Sequence, residues 1–403
     1  MSHIVIIGAG QAGAALAAKL RTLGFAGHVT MIGEEAAPPY QRPPLSKKYL
    51  LGDMALERLY LRPPEFYAEN GIELHLSETA VAIDRADRKV IAGGQALPYD
   101  QLALTTGAVP RRLPGAVGGE LAGVHVVRTL ADVDAMAPDF VAGARALIVG
   151  GGYIGLEAAA VAASKGMRVT LVEAADRILQ RVAAPETSTW FRALHRAHGV
   201  DLREGTGLVR LTGGGHVTGA ELTDGTRLDL DLAIVGIGVT PATELAESAG
   251  LAIENGIAVD TFGRTSDPAI WAAGDCASFP WRGVRTRLES VQNAIDQAEA
   301  VAANMLGADA PYDPKPWFWS DQYDVKLQIA GLNAGYERVI VREGDKAGSI
   351  SHWYYRGESL LAVDAMNDPR AYMTAKRLIE AGRSPGAALV ADPATGLKAL
   401  MTA

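Results

Sequence analysis

The sequence predicts an α/β protein in which two related parallel-sheet units precede a smaller α+β region. The first observation is that an apolar strand, a glycine-rich loop and a helix follow one another in "HIVIIGAGQAGAALAAKL", residues 3–20. The second is that the same order returns in "ALIVGGGYIGLEAAAV", residues 146–161. The third is a change after about residue 319, where strand-like segments alternate with turns and a helix is predicted at 370–382.

The first unit has the spacing of a Rossmann-like, dinucleotide-binding β-α-β fold. Its glycines, Gly8, Gly10 and Gly13, form the pattern G-x-G-x-x-G between a strand and a helix. The first glycine permits a tight turn, the second lets backbone approach a pyrophosphate, and the third lets the helix pack on the strand. The helix N-terminus then presents N–H groups and a positive dipole to the phosphates. Glu34, 21 residues after Gly13, ends the second strand, where its carboxylate can accept ribose hydroxyls.

The second unit repeats the arrangement and adds a second acidic residue. Its glycines are Gly150, Gly152 and Gly155, and Glu173 follows 18 residues later. A carboxylate at that place binds a free ribose 2′-hydroxyl and repels a 2′-phosphate, so the spacing favours NADH over NADPH. Arg177 lies nearby and leaves a second interpretation open, in which its guanidinium reaches a phosphate rather than lying in solvent.

Composition excludes several classes of function. The 403 residues carry a formal net charge of −8, which does not favour binding to nucleic acid or to an anionic membrane surface. No apolar run approaches the roughly 20 residues that cross a bilayer, and the N-terminus shows no export signal. Cys276 is the one cysteine, so no intrachain disulfide can form. We therefore expect a cytoplasmic protein with no nucleic-acid or membrane partner.

Two neighbouring nucleotide sites suggest that one dinucleotide reacts with the other. A flavin accepts hydride from a nicotinamide when flavin N5 and nicotinamide C4 are held roughly 3–3.5 Å apart. We therefore predict that one site holds FAD and the other NAD(H). Asp275, in "AIWAAGDCA", could bind a flavin ribityl hydroxyl, while a Gly-Asp pair is also a common structural turn. Cys276 beside it is interpreted as a small packed residue.

Six short segments, taken in their order along the chain, indicate a family resemblance. They are "GAGQAG", "YQRPPLSK", "GGGYIGLE", "TSDPAIWAAGDCA", "ESVQNAIDQA" and "PWFWSDQYDVKLQIAGL". With them the whole chain resembles the FAD-dependent NADH:ferredoxin reductases, the putidaredoxin-reductase-like and Rieske-dioxygenase-reductase-like branch of the glutathione-reductase superfamily. The resemblance implies a glutathione-reductase-like fold with two Rossmann-like domains and a C-terminal α+β domain. The predicted bounds are 1–109 and 240–318 for the FAD domain, 110–239 for the NAD domain and 319–403 for the C-terminal domain.

The resemblance also implies roles for single residues. Lys47 of "RPPLSK" is expected beside flavin N5, where its ammonium would stabilise negative charge on the reduced flavin. Glu157 would hold the lysine in place and, as an NAD contact, help to seat the nicotinamide carboxamide. Tyr153 would cover the nicotinamide pocket and move when NADH enters. Val291 would begin a helix whose dipole favours charge near flavin N1 and O2. The remaining expected contacts are Arg42, Pro43, Thr106, Gly107 and Trp319 to FAD, and Ile154 and Gly238 to NAD.

The predicted electron acceptor follows from the cysteine content and from the resemblance. A disulfide reductase of this superfamily needs paired cysteines, and the related oxidases and peroxidases need a redox cysteine near "RPPLSK"; the sequence has neither. The resemblance implies instead a 2Fe–2S ferredoxin, which in turn supplies a haem monooxygenase or a ring-hydroxylating dioxygenase. Because such ferredoxins are commonly acidic, we expect a basic docking rim. Its candidate residues are Arg287 and Arg42, followed by Lys315 and Lys326.

Two other classes of flavoprotein stay open at this point. An NADH oxidase would give electrons directly to oxygen, and an apoptosis-inducing-factor-like protein would act partly by binding other molecules. Histidine offers no metal site: His195 and His198, three residues apart on a predicted helix, are interpreted as an exposed pair. The sequence shows no Ser-His-Asp signature.

Overall fold

The computed structural model describes residues 2–402 and divides them into two compact units. Unit 1 contains residues 2–42, 55–109 and 239–314, and unit 2 contains residues 43–54, 110–238 and 315–402. Each unit contains one of the two glycine loops, and each loop joins a parallel strand to a helix. The predicted α/β class is therefore confirmed, while the division into three domains stays a prediction.

Unit 1 is built on a five-stranded parallel sheet. The strand order is Ile270–Ala272, Gln101–Leu104, His3–Ile7, His28–Gly33 and Ile72–Leu76. Ile4 and Ile6 enter one apolar core, and Val5 enters another, so both faces of the sheet are buried. A strand covered on both faces is continuously apolar, which explains "IVII". Helices Gln11–Thr22 and Val291–Met305 lie in the first core, and the predicted helix start at Val291 is confirmed.

Shorter elements complete unit 1. Two further three-stranded sheets consist of Ala80–Asp84, Lys89–Ala92 and Gln95–Pro98, and of Ile257–Ala258, Ala277–Trp281 and Val284–Thr286. A two-stranded sheet pairs Ala108–Pro110 with Val239–Pro241, where the chain leaves unit 1 after residue 109 and returns to it at residue 239. The remaining helices are Pro64–Glu69 and Glu244–Ser248, with a 3₁₀ turn at Leu56–Arg58.

Unit 2 contains the second five-stranded parallel sheet. The strand order is Asp201–Glu204, Arg168–Glu173, Arg145–Val149, Leu232–Val235 and Val124–His125. An antiparallel sheet of Leu208–Thr212, Gly219–Leu222 and Arg227–Asp229 accompanies it. The helices are Lys48–Leu51, Leu130–Met136, Tyr153–Ser164 and Pro185–Ala197, with 3₁₀ turns at Pro43–Ser46, Gly115–Val117 and Ala137–Asp139.

The C-terminal part of unit 2 is an antiparallel sheet with helices, as the sequence predicts. The strand order is Trp317–Gln322, Val325–Gly331, Ser359–Met366, Ile350–Arg356 and Arg338–Glu343. Helices Pro369–Glu380, Ala387–Ala391 and Leu397–Leu400 follow. Trp353, Val363 and Leu378 are buried in the core that these elements share. In residues 2–402, no helix has both the length and the apolar character needed to cross a membrane.

Candidate functional site

The glycine loop of unit 1 is shaped by two glycines that leave no room for a side chain. Gly8 has a φ of +114°, and a Cβ there would lie 2.2 Å from the carbonyl oxygen of Thr105. A Cβ on Gly13 would lie 2.0 Å from the carbonyl oxygen of Gly8. A Cβ on Gly10, by contrast, would meet nothing within 4 Å, and helix Gln11–Thr22 begins at the next residue. The loop therefore leaves open space before a helix N-terminus, where a pyrophosphate can bind.

The end of strand Gln101–Leu104 supports this loop from the side. The Thr105 hydroxyl is 3.1 Å from the carbonyl oxygen of Ile7 and 2.9 Å from that of Gly8, so one proton is shared between them. Thr106 donates its hydroxyl proton to the carbonyl of Ala242 at 2.7 Å. Gly107 adopts a φ of +72°, a region that favours glycine. Thr106 and Gly107 thus lie in a fixed turn beside the loop.

Acidic and basic residues follow the second strand of unit 1. Glu34, the predicted ribose ligand, is exposed, so its carboxylate is accessible. The next residue, Glu35, was not singled out from the sequence, but it accepts from Tyr40 Oη at 2.5 Å and from Arg42 Nη2 at 2.6 Å. Arg42 also lies over the Tyr40 ring, 5.2 Å from its centroid. The guanidinium of Arg42 is therefore fixed by its own unit, and Pro43 begins the 3₁₀ turn after it.

The glycine loop of unit 2 has the same construction. Gly150 has a φ of +106°, and a Cβ there would lie 2.4 Å from the carbonyl oxygen of Gly236. A Cβ on Gly155 would lie 2.1 Å from the carbonyl oxygen of Gly150. A Cβ on Gly152 would meet nothing within 4 Å, and helix Tyr153–Ser164 begins at the next residue. This loop also leaves open space before a helix N-terminus.

Glu173, the predicted ribose ligand of the second site, accepts a hydrogen bond from the glycine loop of unit 2. Its Oε2 accepts from the backbone N–H of Gly151 at 2.7 Å, and its Oε1 accepts from that of Ala175 at 2.8 Å. A carboxylate has about four acceptor positions, so ribose hydroxyls can still bind there. Arg177 donates to the Ser188 hydroxyl at 2.6 Å, so its guanidinium has a partner within unit 2.

A buried ion pair lies in unit 2, and its glutamate is carried by the helix that begins at the second loop. Lys47 Nζ is 2.8 Å from Glu157 Oε2, and the two side chains are 14% and 5% exposed. Ser46 donates to the same Oε2 at 2.6 Å, and Ser320 donates to Oε1 at 2.7 Å. Three donors on one carboxylate are what an ionised glutamate accepts. The predicted pairing of Lys47 with Glu157 is found, and the two serines are partners that the sequence analysis missed.

Tyr153 begins the helix that carries Glu157, and its hydroxyl is buried without a hydrogen-bond partner. Its ring lies 5.0 Å from the ring of Phe318, between centroids. Burial, together with the negative charge of Asp364 and Glu157 nearby, raises the pKa of Tyr153 well above its ordinary value. A buried phenol hydroxyl without a hydrogen-bond partner is unfavourable by about 1–3 kcal/mol. The movement of Tyr153 when NADH enters stays a prediction.

Most of the chain matches known protein families. Residues 2–298 match the pyridine nucleotide-disulphide oxidoreductase family, and residues 317–401 match the reductase C-terminal family. The first match covers well over half of the chain. The chain belongs to the pyridine nucleotide-disulphide oxidoreductases. The family resemblance and the enzyme class predicted from the sequence are therefore confirmed.

Individual relatives of this oxidoreductase match it along its whole length. It is 45% identical to the ferredoxin–NAD(P)⁺ reductase of a Sphingomonas species, covering 99% of this chain and 97% of the relative. It is 41% identical to the putidaredoxin reductase of Pseudomonas putida, covering 100% and 97%. The crystal structure of a covalent putidaredoxin reductase–putidaredoxin complex matches it with a TM-score of 0.96 and 41% identity, covering 100% of this chain and 98% of that one.

Oxidoreductases of this family use FAD and NAD(H), and the residues present here fit both cofactors. Each unit has an open space at Gly10 or Gly152, in front of the N-terminus of a 12-residue helix. The next strand after each loop leads to a carboxylate: Glu34 directly follows strand His28–Gly33, and Glu173 is the last residue of strand Arg168–Glu173. The cofactors predicted from the sequence are confirmed; the residues that bind each one stay a prediction.

The remaining predicted flavin contacts of this oxidoreductase lie in both units. In unit 1, Asp275 follows strand Ile270–Ala272, and its carbonyl accepts from Arg287 Nη1 at 3.2 Å. Val291 opens a helix whose Ser290 cap accepts from the N–H of Asn293 at 3.1 Å. In unit 2, Trp319 lies on strand Trp317–Gln322, with its ring centroid 5.5 Å from that of Trp317.

The remaining predicted NAD contacts lie at the two edges of the second loop. Ile154 is 42% exposed on the first turn of the helix, so its side chain is accessible. Gly238 has a φ of +100°, and its carbonyl accepts from the N–H of Arg111 at 2.9 Å.

The predicted docking residues differ in exposure. Lys315 and Lys326 are exposed on unit 2. The side chain of Arg287 is only 13% exposed, forms an ion pair with Glu289, and keeps its Nε buried without a partner. The side chain of Arg42 is 30% exposed and forms an ion pair with Glu35. The two lysines are therefore more exposed than the two arginines, and the contact of each residue with a partner stays a prediction.

The interpretation of His195 as exposed is wrong. His195 is 0% exposed, whereas His198 is exposed, because Phe191 and His195 lie four residues apart on the buried face of helix Pro185–Ala197. His195 Nε2 is 2.8 Å from Gln322 Oε1. Within the described residues, no three His, Cys, Asp or Glu side chains are grouped to hold a metal ion.

Proposed function

We propose that this oxidoreductase is an NADH-dependent flavoprotein ferredoxin reductase, with FAD in the loop of unit 1 and NAD(H) in the loop of unit 2. The observation that carries the proposal is the buried pair of Lys47 and Glu157, because Glu157 lies on the helix that begins at the second loop. Bound FAD supplies a centre that takes two electrons from NADH as hydride and releases them singly. The function predicted from the sequence agrees with the relatives described above.

The side chains of the pair have separate tasks. Lys47 holds a positive charge in a largely buried place, where it stabilises negative charge that develops nearby. Glu157 keeps that ammonium in one position and is itself held by Ser46 and Ser320. The unpaired hydroxyl of Tyr153 lets its ring leave the second loop when the nicotinamide binds.

The electron acceptor is a 2Fe–2S ferredoxin, which supplies a haem monooxygenase or a ring-hydroxylating dioxygenase. A thiol acceptor is not favoured, because the one cysteine, Cys276, is fully buried and burial raises the pKa of its thiol. The NADH oxidase and the apoptosis-inducing-factor-like alternatives are also not favoured, since the relatives described above are ferredoxin or putidaredoxin reductases. A cytoplasmic location agrees with the absence of paired cysteines.

Reduction of cytochrome c by NADH tests the acceptor. With FAD-loaded enzyme, the rate should be low without ferredoxin and rise at least about tenfold when the matching member of a panel of 2Fe–2S ferredoxins is added, because electrons then leave singly. Oxygen uptake without ferredoxin serves as the control for oxidase activity. Equal NADH consumption in air with and without every ferredoxin of the panel would contradict the proposal.

Replacing Glu173 with glutamine is expected to narrow the preference for NADH over NADPH by about five- to tenfold. The amide keeps a hydrogen bond to the loop but no longer repels a 2′-phosphate, and a partly exposed charge is worth about 1 kcal/mol. The measurement is the ratio of kcat/KM for the two coenzymes. Glu186→Gln, an exposed carboxylate of the same unit, is the matched control. An unchanged ratio in Glu173→Gln would remove this residue from coenzyme selection.

A further inference from the structure

Five side chains of unit 2 form an unbroken line of hydrogen bonds that ends on Glu157. Tyr323 Oη is 3.2 Å from His195 Nδ1, and His195 Nε2 is 2.8 Å from Gln322 Oε1. Gln322 Nε2 donates to Ser320 Oγ at 3.2 Å, and Ser320 Oγ donates to Glu157 Oε1 at 2.7 Å. The four members other than Tyr323 are at most 4% exposed, so water does not compete for the bonds between them.

We propose that Gln322 and His195 are positioning residues that hold Glu157, and through it Lys47, in the orientation needed for reduction of the bound flavin by NADH. This inference rests on the proposed function for the role of Lys47, but the arrangement of the line does not. Glu157 contacts Lys47 through Oε2, while the line reaches its other oxygen, Oε1. Both carboxylate oxygens are thereby fixed, so the carboxylate cannot rotate away from the ammonium.

The carboxylate sets the direction of every bond in the line. An ionised carboxylate only accepts, so the Ser320 hydroxyl donates to it, and the Ser320 oxygen accepts from the amide nitrogen of Gln322. The amide oxygen then faces His195, whose Nε2 must carry the proton, while Nδ1 accepts from the Tyr323 hydroxyl. His195 is therefore neutral with its proton on Nε2, and burial supports this state by lowering its pKa to about 4.

The line orients charge and does not conduct protons. The amide of Gln322 has its donors on nitrogen and its acceptor on oxygen, so it cannot pass a proton on without changing into another chemical form. Hydrogen bonds that point the same way polarise one another, which strengthens the last bond, onto Glu157. Gln322 and His195 thus act on the carboxylate through orientation and polarisation.

The outer end of the line is held in place by a tight turn. Tyr323 lies between strands Trp317–Gln322 and Val325–Gly331 with a φ of +55°, a conformation that costs energy for a tyrosine. Its ring stacks on His198, with 3.6 Å between centroids and 13° between planes. The strained turn places the hydroxyl of Tyr323 on His195 Nδ1, which closes the line at the end remote from Glu157.

Nitrogen-15 NMR of FAD-loaded enzyme with ¹⁵N-labelled histidine tests the direction in which the hydrogen bonds of the line are donated. In the wild type at pH 7, His195 should be a single neutral tautomer with its proton on Nε2, identified by the signal lost in His195→Gln. In Glu157→Gln the introduced amide can donate as well as accept, so both tautomers of His195 should be populated. Glu186→Gln, the same change on an exposed residue of the helix that carries His195, should leave the wild-type tautomer.

Ser320→Ala provides an independent variant, because it cuts the line without changing either end. It should mix the His195 tautomers as Glu157→Gln does, so the test holds even if one of the two fails to fold. A proton on Nδ1 in the wild type, or an unchanged tautomer in the folded variants, would overturn the proposed line. A packing role alone would leave the tautomer of His195 independent of residues 157 and 320.

Single-turnover kinetics tests the consequence for the reaction. Gln322→Leu should lower the rate constant for reduction of bound FAD by NADH about tenfold, while the NADH concentration at half-saturation stays constant, because orientation and not coenzyme binding is lost. An unchanged rate constant would overturn the positioning role. If wild-type FAD were not reduced by NADH at all, the proposed function would fail instead, whereas the tautomer test of the line would still stand.

Discussion

Replacing Lys47 with methionine is expected to slow the reduction of bound FAD by NADH about 100-fold, the typical loss when one electrostatic donor is removed from a buried reaction site. Methionine keeps most of the aliphatic stem and removes the ammonium that lies 2.8 Å from Glu157. FAD should stay bound, because the loop from Gly8 to Gly13 is formed entirely within unit 1. The measurement is the loss of visible flavin absorbance after rapid mixing with NADH.

The neighbouring lysine is a matched control for this variant. Lys48 follows directly in sequence, carries the same charge and is exposed. In Lys48→Met, NADH should therefore reduce the bound FAD at close to the wild-type rate. If Lys47→Met and Lys48→Met were equally fast, Lys47 would have no part in the reduction.

A double variant shows whether Lys47 and Glu157 act as one unit. Lys47→Met leaves the Glu157 carboxylate buried with only two serine donors, a loss of the kind that costs about 3–5 kcal/mol of stability. Adding Glu157→Gln removes that unpaired charge, so the double variant should be more stable than Lys47→Met and no slower in flavin reduction. Additive losses in rate would mean that the two residues act separately.

The parts of the fold that the sequence predicts are those with local signals. The glycine loops at Gly8 and Gly150 are predicted because a strand, a tight turn and a helix follow within a few residues. The helix start at Val291 is likewise local, since Ser290 caps it. By contrast, the assignment of residues 43–54 to unit 2 depends on contacts far along the chain, and no local pattern indicates it.

In the candidate site too, some features have a local sequence signal and others depend on residues far apart in the chain. Lys47 and Glu157 are paired in the sequence analysis only through the family resemblance, because 110 positions separate them. Ser320 and Gln322 alternate on one strand with the same inward direction, which period-two patterning could have revealed. His195 lies four residues after Phe191, and this helical spacing places both on one face of the helix. The spacing predicts that His195 is buried, although a polar side chain alone would be expected at the surface.

Replacing Asp364 with asparagine is expected to stabilise the protein at neutral and alkaline pH. Asp364 is 1% exposed on strand Ser359–Met366 and accepts from the hydroxyls of Tyr354 and Thr187. Burial raises its pKa from 3.8 to about 6, against the lowering effect of these hydrogen bonds. The folded protein therefore keeps the proton that the unfolded chain has already lost, and above that pH it holds a buried charge that costs about 3 kcal/mol.

The sign of the pH dependence distinguishes this residue from the buried histidines. As the pH rises from 3.8 to about 6, the cost of ionising Asp364 in the folded protein grows, so its contribution to stability falls. His195 and His352 act in the opposite direction, because burial lowers the pKa of each from 6.5 to about 4. Their contribution is complete above pH 6.5 and is lost as the pH falls toward 4. In Asp364→Asn the contribution that opposes the histidines is removed, so stability should fall more steeply with acid.

The expected result is an apparent Tm about 5 °C above that of the wild type at pH 8, with the difference shrinking steadily below about pH 6 and vanishing only as the pH approaches 3.8. The measurement is thermal unfolding with excess FAD at one heating rate, across that pH range. Asp345→Asn is the matched control, since Asp345 is 78% exposed in an ion pair with Arg370 and should shift Tm little at any pH. A constant difference across the range would mean that Asp364 keeps one protonation state in the folded protein. A lower Tm for Asp364→Asn at pH 8 would mean that its two hydroxyl donors outweigh the cost of burying the charge.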